Sequence, residues 1–416
     1  MKILHIIPSY LPAKLASGPI IPTHNLNKEL VKKGIEVVVY TTNLDGTKIL
    51  DVPLNQEIDI DGVKVFYFPI SFRSWQYSFA LHRALAKNVK NFDLIHITSV
   101  FLSVSTLGAY YAKKFKKPYI ISPHGSLMSD PLSRHSLKKK VYLNLIEKKN
   151  LKEAVVHFLV DQEKDDYLKT NLPLKEAVVI PNGIDNKENI KKTTFFNFNM
   201  SINGNVDIKN LDFQKTNFRT KFGIGSDKKL VLFLARLHPI KGLDTLIPAF
   251  SEVIKKNSRV VLILAGPDEI NYKKEVELKI ENYQLKISKD VVFTGMLTGE
   301  DKISALQESD IFVLPSYSEC LPMAVIEAMY FGLPVIVTRN VGIASFIEKA
   351  GAGIVVEKNE KQLAEAILKI LNNSDLGKEM GRRGRNLVEI EFFSLKVAER
   401  WIEEYNKIIK IFKKYE

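Results

Sequence analysis

Short apolar runs alternate along this chain with segments whose apolar residues recur at helical spacing. Lys2 to Ile7 is a run of the first kind, His24 to Lys33 is of the second, and Glu36 to Thr41 follows after Gly34. This strand, helix, strand rhythm continues through Val63 to Phe68, Leu94 to Thr98, Tyr119 to Ser122, Val155 to Leu159 and Ala177 to Ile180. Such alternation predicts an α/β fold, a mainly parallel sheet covered by helices. From Asn186 to about Asn217 the rhythm lapses into Asn, Lys, Thr and Phe without steady period, which reads as a surface insertion joined to a linker, partly disordered. A second series then opens with strands at Leu230 to Ala235, Arg259 to Ala265, Val291 to Thr294, Ile311 to Leu314 and Pro334 to Thr338. Helices are predicted at Leu243 to Ile254, Tyr272 to Asn282, Ile303 to Gln307 and Pro322 to Phe331. A last amphipathic helix, Ser394 to Lys413, carries Leu395, Ala398, Trp401, Ile402, Tyr405, Ile408 and Ile409 close to one face. The expected organisation is a Rossmann-like domain over 1–185, an insertion and linker over 186–217, a second Rossmann-like domain over 218–390, and a terminal helix over 391–416 that can cross back to the first domain. Two such units place a cleft between their sheets, and ligands of open parallel sheets bind beyond the carboxyl ends of the strands.

Length supports two domains, because 416 residues with 45% hydrophobic content exceed what one core accommodates. The single cysteine, Cys320, rules out an intramolecular disulfide and fits a reducing, cytoplasmic setting. The opening apolar run stops at Pro8, too early for a signal peptide, and no stretch approaches the roughly 18 apolar residues of a spanning helix. There are 60 Lys and Arg against 47 Asp and Glu, a formal net charge of +13. The excess concentrates at Lys113 to Lys117, then at Arg134 and Lys138 to Lys140, then at Lys148, Lys149 and Lys152. Two readings stay open: a solvated helical face, or attraction to an anionic membrane surface. Nucleic acid is not expected, since no recognisable binding module surrounds the basic run.

Three stretches carry candidate chemistry. Leu314 to Met329 runs from a strand through a polar loop into a helix with Pro322 near its first turn, a favoured place for proline. The free N–H groups of that helix start suit a diphosphate, and Glu319 and Glu327 bracket it. The same two residues also read as one capping and one solvated glutamate. Leu232 to Gly242 sets Arg236 and Lys241 in the loop after another strand, where arginine can fork onto phosphate oxygens and lysine can act as a point charge. Surface loops also carry such residues without a role. Ile121-Ser122-Pro123-His124-Gly125 puts His124 after a third strand, either to meet a ligand hydroxyl or as a buried structural histidine.

Taken as a set, these residues resemble the hallmark of retaining glycosyltransferases of family 4, also called group 1, which have the GT-B fold of two Rossmann-like domains. The resemblance rests on Arg236 with Lys241-Gly242, on Glu319 and Glu327 eight positions apart, on Ala328-Met329 and on Gly332-Leu333-Pro334-Val335. Pro181-Asn182-Gly183-Ile184-Asp185, Gly266-Pro267 and Gly295 extend it over nearly the whole chain. It implies that Arg236 and Lys241 hold the diphosphate of a UDP- or GDP-linked sugar, with Cys320 and Leu321 at the donor. It assigns Glu319 to the donor sugar's hydroxyls, Glu327 to the ribose, His124 to the sugar near the reacting carbon, and Gly18 to the phosphate side. His124 and Glu319 would then be the catalytic pair. It also implies a glycan or lipid-linked acceptor at the N-terminal domain, no metal and no separate cofactor. The expected setting is cell-surface polysaccharide or lipopolysaccharide assembly at the inner face of the membrane.

Two positions depart from the family pattern. Gly18-Pro19 stands where two glycines are usual, and Pro19 has no N–H to offer a phosphate; Cys320 stands where glycine often follows the first glutamate. Asp59-Ile60-Asp61 matches a short metal-binding pattern of another glycosyltransferase fold, but Asp61-Gly62 before alternating Val63 to Phe66 reads more simply as a hairpin turn. Competing functions are a nucleotide-sugar epimerase and a non-catalytic nucleotide-sugar-binding relative. A nicotinamide oxidoreductase is weaker, for want of a G-x-G-x-x-G motif.

Overall fold

The computed structural model describes residues 1–13, 18–129, 132, 137–185 and 218–414. The segment 186–217 read above as insertion and linker lies outside the described residues, as do Ser17 and Arg134. The described residues group into two compact units, one of 1–185 with the chain from 393 onward, the other of 218–392.

The first unit is built on β1 (Lys2–Ile6), β2 (Glu36–Thr42), β5 (Glu57–Ile60), β6 (Val63–Phe68), β7 (Leu94–Thr98), β8 (Tyr119–Ser122), β9 (Val155–Phe158) and β10 (Glu176–Val179), with a small hairpin of β3 (Leu44–Asp45) and β4 (Lys48–Ile49) beside it. The eight strands lie in the order β10-β9-β8-β7-β1-β2-β6-β5, and every neighbouring pair is parallel except β5 with β6. That antiparallel pair turns at Asp61-Gly62, whose φ angles of 55° and 84° are the left-handed pair a two-residue hairpin needs. Side chains alternate between two cores. Leu4 and Ile6 join one with Leu81, Leu85, Val104 and Ala109, while Ile3 and Ile7 join another with Leu26 and Leu30. The second core is completed by the helix Ser394–Lys414, which buries Val397, Ala398, Trp401, Tyr405 and Ile408. Leu395 is exposed instead, because at 100° per residue it falls outside the arc those five define. Gly183 admits the start of this helix, since a Cβ there would stand 2.7 Å from Ser394 Cα.

The second unit holds β11 (Lys229–Leu234), β12 (Val260–Ala265), β13 (Val291–Gly295), β14 (Ile311–Leu314), β15 (Val335–Thr338) and β16 (Gly353–Val356) in the order β13-β12-β11-β14-β15-β16, all parallel. Numbered within the unit this is 3-2-1-4-5-6, the doubly wound order of dinucleotide-binding folds. The order reverses between β11 and β14, so the loops leaving these two strands diverge to opposite faces and open a crevice at their carboxyl ends.

Candidate active site

The loops at that reversal carry most of the residues singled out by sequence. After β11 the chain passes Arg236, and His238 Nδ1 accepts from Ile240 N–H at 3.1 Å to begin a tight turn over Pro239–Lys241. Gly242 ends the turn at φ 75°, and a Cβ on it would lie 2.0 Å from the Pro315 carbonyl oxygen, so only glycine lets the β11 loop press against the β14 loop. Tyr317 N–H donates to Ile240 O at 2.8 Å, and its hydroxyl donates to Asp244. From the other side, Gly342 N–H donates to Glu319 O at 2.8 Å. Three strand-end loops thus fix the backbone on which Lys241 and Glu319 sit.

The side chains are charged, close and largely withdrawn from solvent. Lys241, 13% exposed, forms an ion pair with Glu319, 18% exposed. Burial and the neighbouring Arg236 charge push the Lys241 ammonium down to about 8, a shift that the Glu319 carboxylate opposes. Arg236 is over half exposed and pairs with Glu269 at 3.0 Å. Helix Met323–Tyr330 starts just beyond, with Leu321 buried, Cys320 half-buried and no side chain capping its first turn. Its leading N–H groups therefore remain available to an anion. Glu327, one turn further on, pairs with Lys302 at 2.7 Å. Arg236, Lys241, Glu319, Cys320, Leu321 and Glu327 all belong to the second unit, and its fold brings the first three together from adjacent strand ends. Glu269 and Lys302 were not foreseen. Neither lies in a recognisable local pattern, and each meets its partner only through tertiary packing.

His124 and Gly18 belong to the first unit. His124 follows β8 with φ 48°, is half-buried, and has its ring 6.3 Å from that of His157. Burial, then the charges that His157 and His5 would carry, lower its pKa to about 3, so the imidazole is neutral at physiological pH and offers one donor and one acceptor to a hydroxyl. Its turn is held by Glu163, a buried carboxylate missed in the sequence, which accepts Gly125 N–H at 2.5 Å and Leu159 N–H at 2.6 Å. Gly18 is exposed, and a Cβ there would meet nothing within 4 Å. Asp59 and Asp61 serve the hairpin: Asp59 Oδ1 accepts from Gly62 N–H at 2.9 Å and Asp61 Oδ2 pairs with His24 Nε2 at 2.9 Å. Among the described residues no cluster of His, Cys, Asp or Glu is arranged to hold a metal ion.

Beneath His124 lies a hydrogen-bonded chain whose direction follows from its end. Ile180 O can only accept, so His157 Nε2 donates to it at 2.7 Å and His157 Nδ1 must accept from Ser122 Oγ at 2.8 Å. Ser122 then accepts from His96 Nε2 at 2.8 Å, and His96 Nδ1 accepts from Tyr405 OH at 2.7 Å. His5 stacks on His96 with ring centroids 4.4 Å apart. The cavity lined by His5, His96, His124, His157 and Trp401 is about 20 Å³, room for one water and not for a sugar ring.

Two doubly wound domains in one chain, the second with cations and an uncapped helix start at its switch point, define the GT-B class. Residues 214–387 match the family of glycosyl transferases group 1 and residues 23–188 match glycosyltransferase family 4. The chain is 28% identical to an uncharacterized glycosyltransferase of Methanocaldococcus jannaschii over 90% of either protein. It is 27% identical to alpha-monoglucosyldiacylglycerol synthase of Streptococcus pneumoniae over 89% of this chain and 78% of that one. In fold it is similar to Anabaena HepE in complex with UDP-glucose, with TM-score 0.69, 18% identity, and coverage of 98% of this chain and 100% of that one. The chain belongs to the group 1 glycosyltransferases of family 4.

Proposed function

We propose that this glycosyltransferase moves a sugar from a UDP- or GDP-linked donor to a glycan or lipid-linked acceptor, with retention of anomeric configuration and without a metal. The observation that carries this reading is the convergence of Arg236, Lys241, Glu319 and an uncapped helix start at the ends of β11 and β14. A diphosphate entering there meets two cations and the helix amides, and takes Lys241 from Glu319, which frees that carboxylate for sugar hydroxyls. As the anomeric carbon exchanges its diphosphate oxygen for the acceptor oxygen, the acceptor proton is released and the leaving charge is stabilised by the same cations. Incubation with a panel of nucleotide sugars and an acceptor, read by NMR, tests the reading. A retained anomer formed in the presence of chelator is expected; an inverted product, or activity restored only by a divalent ion, overturns it. Epimerase activity would appear as isomerised donor without transfer.

The acceptor reading extends to an anionic membrane surface. Lys138, Lys139 and Lys140 are exposed, and Leu137, Val141 and Leu145 are exposed at four-residue spacing on the same helical run. Phe72, Trp75 and Phe79 are exposed as well. No helix among the described residues is long and apolar enough to cross a membrane. Basic residues contribute about 1 kcal/mol each near such a surface, and salt screens them. Co-sedimentation with anionic liposomes should fall at high salt and on Lys138, Lys139 and Lys140→Glu; a bound fraction unmoved by both points to a soluble acceptor.

A further inference from the structure

We infer that Lys302 is a positioning residue that aims the Glu327 carboxylate at the vicinal diol of the nucleotide ribose, so that the site selects ribonucleotide over deoxyribonucleotide donors. This rests on the reading of Glu327 as the ribose ligand. Lys302 Nζ lies 2.7 Å from Oε1 and 2.7 Å from Oε2 of Glu327, a symmetric grip by one ammonium on both oxygens. The two side chains are only 22% and 17% exposed, so the pair is not a solvated surface contact.

Local physics disfavours a lysine at this place. Lys302 stands in the opening turns of helix Gly299–Glu308, where the helix dipole favours anions, and its neighbours Glu300 and Asp301 follow that preference. Asp301 turns away to pair with Lys221 at 2.6 Å. The cation at 302 is therefore set against its own helix and toward a carboxylate 25 residues on, in the helix that follows β14.

The consequence is geometric. An ionised carboxylate has about four lone-pair directions, two on each oxygen. An ammonium equidistant from both oxygens takes the two lone pairs that run side by side, one from each, and leaves one outward-facing lone pair on each oxygen, a fixed acceptor for one hydroxyl of the diol. It also stops rotation about the terminal torsion, which is otherwise broad and two-fold in glutamate. Without Lys302 the carboxylate is left unpaired in a partly buried place and is free to turn toward solvent, so that hydroxyl contact is lost.

The test measures binding of UDP and 2′-deoxy-UDP by calorimetry, with GDP and its 2′-deoxy analogue as a parallel arm, on the full chain. Wild type should prefer the ribonucleotide by about tenfold, the value of one charge-assisted hydrogen bond. Glu327→Gln should lose most of that preference. Lys302→Met should lose it as well, Lys302→Arg should restore it, and Lys302→Met should add nothing in the Glu327→Gln background. The double variant removes both charges together and so remains foldable where the single lysine change leaves a buried carboxylate unpaired. If Lys302→Met keeps the wild-type ratio, or weakens both nucleotides equally, while Glu327→Gln loses it, the positioning role is wrong and the ribose reading stands. If Glu327→Gln itself keeps the ratio, the ribose reading fails.

Discussion

Acidification should loosen the first unit well before its carboxylates titrate. His5 and His157 are buried and neutral, and burial lowers each from the usual 6.5 to about 4; His96 is lowered as well, with burial as the main cause. In the unfolded chain all of them protonate near pH 6.5. Below that pH the unfolded state therefore binds more protons than the folded one, and stability falls with falling pH until the folded values near 4 are reached. A single such histidine changes stability by about 1.4 kcal/mol per pH unit within this window. Between pH 6.5 and 5, His5 and His157 together remove about 3 kcal/mol, a large part of the roughly 5 to 15 kcal/mol of a typical domain. Glu147 works the other way, since burial raises its pKa and favours the protonated folded form. The assay is urea unfolding followed by tryptophan fluorescence at pH 7.5 and pH 5. Both tryptophans, Trp75 and Trp401, lie in the first unit, and only Trp401 is buried, against His96 and His157 with ring centroids 4.8 and 4.6 Å away. The signal thus reports this unit alone. His157→Gln keeps a donor for Ile180 O and an acceptor for Ser122 but cannot titrate. It should be less stable at pH 7.5 and show a pH slope shallower by about one proton. Equal unfolding midpoints at the two pH values, or an unchanged slope in the variant, would refute the account.

Glu327→Ala and Lys241→Ala should each weaken nucleoside diphosphate binding by tenfold or more at unchanged fold, since charged hydrogen bonds contribute about 1.5 to 3 kcal/mol; unchanged calorimetric affinity in both removes the site. Gly242→Ala drives a Cβ into Pro315 O at a left-handed φ, so the β11 and β14 loops must part. The second unit should lose about 1 to 3 kcal/mol and nucleotide binding should fall with it, both checked by melting with and without nucleotide. Glu163→Ala leaves two buried N–H groups unpaired and releases the His124 turn. It should destabilise the first unit by about 2 to 4 kcal/mol and lower turnover while nucleoside diphosphate affinity at the second unit is unchanged; an unaltered melt and turnover would count against that role.

The sequence by itself determined the secondary structure closely where one physical rule dominated. Buried parallel strands are apolar on both faces, so Leu94–Thr98, Tyr119–Ser122 and Ile311–Leu314 were legible as runs with the bounds the structure has. Asp61-Gly62 was legible because left-handed φ at two successive positions has few residue solutions. The helix start after Glu319 was legible for a similar reason, a proline at its entry. Strand β16 was not singled out, being short and opened by Gly353. In the candidate site, residue types and spacing pointed to Arg236, Lys241, Glu319 and Glu327, but not to what each touches. Tertiary structure alone decided that β11 and β14 are neighbours, which brings Lys241 to Glu319. It alone decided that Lys302 faces Glu327, that Glu163 holds the His124 turn, and that Tyr405 reaches His96 across 309 residues. The reason is common to all of these. Periodicity and caps report energies settled within a few residues of the chain, whereas a charge or hydroxyl buried in the interior takes its partner from whichever distant segment the sheet order brings alongside, and nothing in its local sequence encodes which one that is.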